Sequence, residues 1–295
     1  MSDQATLPPA PAHPRRLVFL GTPDFAARPL CALVEAGFDV ALVVSRADAR
    51  RGRGGRTMPS PVKAAALELG LPVSDRVDDV LAAGADLGVV VAFGRIIRPH
   101  VLAELPMVNI HFSLLPRWRG AAPVERAILA GDERTGVDLM VVEEGLDTGG
   151  IYDRAEVVIG PDETVDELRA RLTEAGTGLV LDNLTRGLDP PRPQEGEATY
   201  AHKIDPAELH LDWTHPALAL HRLVRVGGAW TTFRGKRLKI WRTTLTPEEG
   251  AGTVPAPTGE GVLHLVEVQP EGKPRMPARA WANGARWTGD EPLGS

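Results

Sequence analysis

The sequence predicts an α/β chain in two parts: a Rossmann-like domain with a parallel-rich sheet, followed by a C-terminal OB-like β-barrel domain. Three observations carry that reading. Apolar runs of strand length alternate with helical patterns through the first 189 residues. A stretch holding Pro190, Pro191 and Pro193 then interrupts the pattern. After it, short strands separated by Gly and Pro turns dominate. The expected division is a disordered lead-in over 1–15, an α/β domain over 16–189, a linker over 190–207 and the barrel over 208–295. A chain of 295 residues fits two domains.

Arg16 to Gly21 reads as a first parallel strand ending on a glycine. Thr22 to Phe25 turns into a helix that runs through Leu33 and closes at Gly37. Val40 to Ser45 is the second strand. This βαβ opening has no Gly-x-Gly-x-x-Gly, so a nicotinamide cofactor is not indicated. Arg46 to Met58 reads as a loop, Val62 to Leu69 as a helix, Leu71 to Val73 as a short strand and Asp79 to Ala83 as a helix. Leu87 to Val91 has the length and β-branched content of a buried strand, and it leads into Ala92 to Ile97. Val108 to Ser113 alternates polar and apolar residues until Pro116 ends the strand. Val124 to Ala130 is helical, Gly136 to Val142 alternates as a strand, Glu143 to Gly150 is a glycine-rich loop, and Ile151 to Ile159 makes a strand or a pair of strands. Thr164 to Leu184 is the longest helical pattern, with Val165, Leu168, Leu172, Leu179 and Leu181 apolar. Beyond the linker a helix is expected around Pro216 to Val226. Strands follow at Gly228 to Phe233, Arg237 to Thr243 and Gly261 to Gln269.

The composition, 43% hydrophobic and 24% charged, is that of an ordinary globular protein. No apolar run reaches the length of a membrane span, and Met1 to Pro14 lacks the apolar core of a targeting peptide. The single Cys31 excludes an internal disulfide and lies in an apolar helical pattern, where it reads as a small buried hydrophobe. A reducing cytoplasm is the expected location, and no metal site is expected. The net charge of −6 argues against a polyanionic partner, but its distribution does not. Arg46, Arg50, Arg51, Arg53 and Arg56 are accompanied by one acid, Asp48, and Pro216 to Leu245 carries seven cations and no acid. The first island, without an apolar anchor, reads either as a solvated charge run or as an arm that orders on phosphates.

The chemistry concentrates at Asn109-x-His111-x-Ser113. On a strand these three share one face, at the strand end where open α/β sheets bind ligands. An amide donor beside a proton-carrying imidazole suits a reaction that builds negative charge on an oxygen. Spacing alone fits a structural Asn–His pair as well. Asp147, in Gly145-Leu146-Asp147-Thr148-Gly149, reads locally as an Asx-turn residue.

The longer string Asn109-x-His111-x-Ser113-Leu114-Leu115-Pro116, followed by Arg119-Gly120-Ala121-Ala122-Pro123 and then the Gly145–Gly149 loop, resembles the signature of the folate-dependent formyltransferases. The resemblance runs from about Arg16 to the C-terminus and includes the Gly21–Phe25 turn and the Tyr200-Ala201-x-Lys203 segment. It implies a formyltransferase domain that takes 10-formyltetrahydrofolate as co-substrate and needs no metal. The implied acceptor is the α-amine of methionine on initiator methionyl-tRNA, and the implied state is a monomer. It also implies roles. Asn109 donates to the oxyanion, His111 stabilises it or shuttles a proton, and Asp147 orients His111 and helps deprotonate the amine, with Ser113 in support. Phe93, Gly94, Ile96, Ser113, Leu114, Leu115, Pro116 and Asp147 are implied to line the folate site. Arg50, Arg51, Arg53, Arg56, Lys203, Arg234, Lys236 and Arg237 are implied to hold tRNA.

Formyltransferases acting on a sugar-nucleotide amine or on glycinamide ribonucleotide share this chemistry but would not need the basic islands. Formyl-folate hydrolysis would be expected with a regulatory domain ahead of the catalytic one, and a non-enzymatic RNA-binding role would not need Asn109, His111 and Asp147 together. The segment before Gly228 is shorter than the family pattern, which puts the barrel's first RNA contacts in doubt. The chemistry is expected to lie wholly before the proline linker.

Overall fold

A computed structural model describes residues 7–51, 55–247, 252–289 and 291–294. Elements in chain order are β1 Arg16–Gly21, α1 Ala27–Glu35, β2 Asp39–Val44, β3 Ala49–Arg51, β4 Arg56–Met58, α2 Pro61–Glu68, β5 Val73–Ser74, β6 Leu87–Val91, α3 Pro99–Leu102, β7 Met107–His111, β8 Arg119–Gly120, α4 Pro123–Ala130 and β9 Arg134–Val141. They continue with β10 Ile151–Val158, α5 Val165–Arg186, β11 Tyr200–Ala201, α6 Ala217–Val226, β12 Trp230–Phe233, β13 Lys236–Thr244, β14 Val254–Pro257, β15 Val262–Pro270, β16 Met276–Pro277 and α7 Ala278–Ala285.

The chain separates into two compact units. The first holds residues 1–123, 134–158 and 169–201 and is built on a seven-stranded sheet in the order β10-β9-β7-β6-β1-β2-β5. Pairs β5–β2, β2–β1, β1–β6 and β6–β7 are parallel, and β9 is antiparallel to both β7 and β10. The strand order reverses at β1, so the carboxyl ends of β1 and β6 flank the crevice where doubly wound sheets bind ligands. β6 is buried along its whole length, and so are residues 135–140 of β9. The alternation read in β9 is therefore not an inside–outside pattern, because both faces are covered.

Helix α5 shows how the sheet is held. Its buried positions are Val165, Leu168, Leu172, Thr173, Thr177, Val180, Asn183 and Leu184, with Leu179 and Leu181 only half-buried. Thr173, Thr177 and Asn183 satisfy themselves on the carbonyls of Arg169, Thr173 and Leu179, one turn back. Gly176 lies against β7 and β9. A Cβ there would come within 2.6 Å of Ile110 Cγ2 and 3.1 Å of Val137 Cγ1, so only glycine permits this approach. In place of a continuous loop over 46–58, β3 and β4 form a hairpin with Ala49 opposite Met58 and Arg51 opposite Arg56.

The second unit holds residues 124–133, 159–168 and 202–295. Its antiparallel sheet runs β12-β13-β15-β14 with β16 paired to β15, five strands as in an OB-like fold. One apolar core, including Leu220, Val224, Ile240, Leu265, Val268 and Trp281, joins the strands to α6 and α7. The sequence pattern did not announce α7. It has only eight residues, and its buried face is Ala278, Trp281 and Ala282, too short and small-sided to stand out among turns.

Residues 124–133 and 159–168 group with this unit, although the proline stretch placed them in the preceding domain. Buried Arg225 of α6 donates to the carbonyls of Glu163 and Gly160, each at 2.8 Å. Buried His221 holds the Pro161 carbonyl at 3.1 Å. Arg126 of α4 forks onto Glu208 at 2.7 and 3.1 Å. Polar side chains far downstream thus claim both segments, which hydrophobic periodicity cannot reveal.

Candidate active site

The site belongs to the first unit and starts on β7. Asn109 pairs in the sheet with Val90 and Met140, is half-buried, and its side-chain amide makes no hydrogen bond with the described residues. An amide left without a partner is free to serve a ligand. Two residues on, His111 is 5% exposed. Its Nε2 stands 3.0 Å from the Trp118 carbonyl, and a carbonyl only accepts, so Nε2 carries the proton. Nδ1 of the neutral ring then offers a lone pair, 3.7 Å from Asp147 Oδ2. A proton arriving at Nδ1 would form an ion pair with Asp147 away from bulk water.

Asp147 reaches this place through a left-handed backbone (φ 51°), and its Oδ2 accepts from the Gly120 N–H at 2.8 Å. Trp118 (φ 64°) and Ala92 (φ 45°) are also left-handed. Three of the five non-glycine left-handed residues among those described therefore surround one site, the distribution expected where strain serves function. The sequence reading gave the orienting of His111 to Asp147; the Trp118 carbonyl is the nearer partner.

The other expected folate residues divide. Thr22 Oγ1 donates to the Phe93 carbonyl at 3.2 Å and ties the ends of β1 and β6 together. The Phe93 ring is buried in the core, whereas Gly94 is exposed and Ile96 is 88% exposed. Ser113 is not an extension of the β7 face. The strand ends at His111, and the fully buried Ser113 hydroxyl donates to the Arg117 carbonyl at 2.6 Å, closing its own loop. Leu114 is half-buried, and Leu115 and Pro116 are buried across a cis peptide. The Leu115 N–H donates to Asp138 Oδ2 at 2.8 Å, and Arg154 donates to both Asp138 oxygens and to the Leu115 carbonyl, each at 2.7 Å. Burial pushes the Asp138 carboxyl up while the Arg154 fork pulls it back, and the same fork raises Arg154.

Residues that sequence reasoning did not single out complete the site, and they come from the proline-rich stretch. β11 pairs in parallel with β8. Gly120 (φ 120°) passes so close that a Cβ would meet the Ala201 carbonyl at 2.9 Å. Thr199 Oγ1 accepts from the Trp118 N–H at 2.9 Å and the Thr199 carbonyl accepts from the Arg119 N–H at 2.9 Å, holding both peptides that flank Trp118, whose carbonyl meets His111. Gln194 donates to the Asp147 and Gly149 carbonyls at 2.8 and 2.9 Å and accepts from Arg119 at 2.6 and 3.1 Å. The hydrogen bonds that hold these residues in place do not lie wholly before the linker.

Among the expected tRNA residues, Arg50, Lys203, Lys236 and Arg237 are exposed. Arg53 and the side chains of Arg51 and Arg56 lie outside the described residues. Arg234 is held by Glu291 at 2.7 to 2.9 Å, whereas Arg237 lies over the Trp230 ring at 4.0 Å. No cluster suited to a metal occurs among the described residues, and none of their helices is long and apolar enough to cross a membrane.

A doubly wound sheet with an open amide donor and a His–Asp pair at its carboxyl end is suited to group transfer through an oxyanion. Residues 15–184 match the formyl transferase family and 203–286 its C-terminal domain. The methionyl-tRNA formyltransferase of Symbiobacterium thermophilum is 46% identical over 91% of this chain and 92% of its own. The fold is shared with Aquifex aeolicus HypX in complex with tetrahydrofolic acid (TM-score 0.63, 18% identity, 94% of this chain and 48% of that one). It is shared also with Clostridium thermocellum methionyl-tRNA formyltransferase (TM-score 0.57, 16% identity, 86% and 98%). The chain belongs to the formyl transferase family, within its methionyl-tRNA formyltransferases.

Proposed function

We propose that this chain transfers the formyl group of 10-formyltetrahydrofolate to the α-amino group of methionine on initiator tRNA, giving N-formylmethionyl-tRNA. The observation that carries the reading is the unpartnered Asn109 amide on the same strand face as the His111–Asp147 pair. The folate supplies an activated formyl group, and this chain supplies orientation and charge stabilisation. As the amine nitrogen bonds to the formyl carbon, the carbonyl electrons move to oxygen, where Asn109 donates its N–H. His111 Nδ1 takes the amine's proton, with Asp147 balancing the imidazolium, and returns it to the departing folate nitrogen as the carbon–nitrogen bond breaks.

Exposed Gly94 and Ile96 would receive the flat pterin edge, with Phe93 and Leu114 to Pro116 shaping the wall behind them, since the Leu115 backbone is already held by Asp138 and Arg154. Arg50, Arg51, Arg53, Arg56, Lys203, Lys236 and Arg237 would meet tRNA phosphates, whereas Arg234 is already paired with Glu291. We place the protein in the cytoplasm as a monomer; its one cysteine, Cys31, is consistent with a reducing compartment. The deciding experiment mixes labelled formyl-folate with methionyl initiator tRNA and, separately, with sugar-nucleotide and ribonucleotide amines. Label should enter the tRNA; label entering only a small amine would remove this reading.

A further inference from the structure

Gln194 lies in the stretch whose composition marks a linker, yet its side chain uses its amide on both sides. Its NH₂ donates to two carbonyls of the glycine loop, Asp147 at 2.8 Å and Gly149 at 2.9 Å. Its oxygen accepts from Arg119 Nη2 at 2.6 Å and Nε at 3.1 Å. Arg119 directly precedes Gly120, whose N–H holds the Asp147 carboxylate at 2.8 Å. Asp147 is therefore gripped at its carbonyl through Gln194 and at its carboxylate through the strand that Gln194 also holds. Without that grip, little keeps a left-handed aspartate in a glycine-rich turn 3.7 Å from His111. The chemistry selects glutamine. Glutamate could accept from Arg119 but would oppose two carbonyls with negative charge, and asparagine is one methylene shorter.

We infer that Gln194 is a positioning residue for catalysis: it sets the Asp147 carboxylate against His111 by bridging the Arg119–Gly120 strand to the Asp147 loop. The inference rests on the formyl-transfer reading of the site. It predicts that the side chain acts on turnover through Asp147, not on folding or substrate binding.

The test compares Gln194→Met, which keeps length and removes every hydrogen bond, with Gln194→Glu, which keeps the Arg119 partner. Each is made alone and with Asp147→Ala, with Glu195→Ala as an exposed neighbouring control. Formyl transfer to methionyl-tRNA is measured as kcat and KM for both substrates, alongside thermal midpoints. Both Gln194 variants should lose on the order of tenfold to a hundredfold in kcat, the cost of a misplaced catalytic group, with KM values and midpoints near those of the parent. In the Asp147→Ala background they should cost almost nothing further, since a residue acting through Asp147 has nothing left to position. Equal losses in both backgrounds, or a loss confined to KM, would overturn the inference and leave the reading of the site intact. Should Gln194→Met prove unstable, Gln194→Glu decides by the same comparison. Parent-like turnover in Asp147→Ala alone would remove the site reading itself, and this inference with it.

Discussion

At the scale of single residues, the site asks each group for a different kind of work, and substitutions should separate them. Asn109→Ala should reduce kcat by about 10²-fold or more, the usual loss for one oxyanion donor, with folate affinity nearly unchanged. Near-parental turnover would show that the open amide serves something else. Arg154→Ala should act on stability instead. It leaves the fully buried Asp138 carboxylate without its fork, at a cost on the order of 3–5 kcal/mol in denaturant unfolding. A loss below about 1 kcal/mol would show that the fork is worth no more than an exposed pair. Asn109 and His111 were legible because a strand shows its side chains every second residue, so their spacing already implied one face. Trp118, Thr199 and Gln194 were not, because each acts through a partner brought close only by the fold. Thr199 and Trp118 are 81 positions apart and joined through a backbone N–H, which leaves no mark on side-chain patterning. Ser113 was legible as part of a motif but misleading as to use, since its hydroxyl is spent on the Arg117 carbonyl.

At the scale of elements, α6 carries a titratable lock. His221 is buried, with Nδ1 at 2.9 Å from Thr243 Oγ1 and Nε2 facing the Pro161 carbonyl at 3.1 Å and Asp162 at 3.0 Å. Burial holds its pKa below the ordinary 6.5 and nearby Arg225 adds to this, while Pro161 and Asp162 oppose. Because the folded value lies below the unfolded one, the unfolded chain binds the extra proton first as pH falls through about 6.5. The stabilisation from neutral His221 is thus complete above that pH and declines below it. The urea midpoint should fall between about pH 7.5 and about pH 5.5, and His221→Leu should flatten that decline. An unchanged slope in the variant would assign the decline to other groups. Most of the sheet was legible because β1, β2 and β6 are apolar runs bounded by turns. The 192–201 stretch was not, because it makes little regular structure of its own and works by lacing onto residues 116–122 and the Asp147 loop. Thr199→Val, which removes only the acceptor for Trp118 N–H, should lower kcat while leaving the thermal midpoint nearly in place; parental kcat would show that Trp118 needs no such hold.

At the scale of the whole molecule, charge is redistributed by folding. Pro216 to Leu245 has no acid in its sequence, yet Arg234 is neutralised by Glu291, Arg242 pairs with Glu167, and Arg225 is buried on carbonyls. Lys236, Arg237 and Lys239 remain without an ion pair among the described residues, the last two lying over Trp230 and Trp241. Local charge counts therefore overstate the cationic surface of this unit. Lys236→Ala with Arg237→Ala should weaken tRNA binding and reduce the slope of log affinity against log salt by about one to two, whereas Arg234→Ala should barely change it. A larger slope change for Arg234→Ala would show that the Glu291 pair opens on RNA.

The lacing of β8 to β11 also has a consequence in time. The chain leaves the ribosome from its N-terminus, so β1 to β10 and the whole signature are made before Gln194, Thr199 and Tyr200 exist. A nascent chain that closed its sheet before that stretch emerged would leave Trp118 without its Thr199 partner and Asp147 without Gln194. On that order of synthesis, competence would wait until residues 192–201 dock onto the rest of the unit.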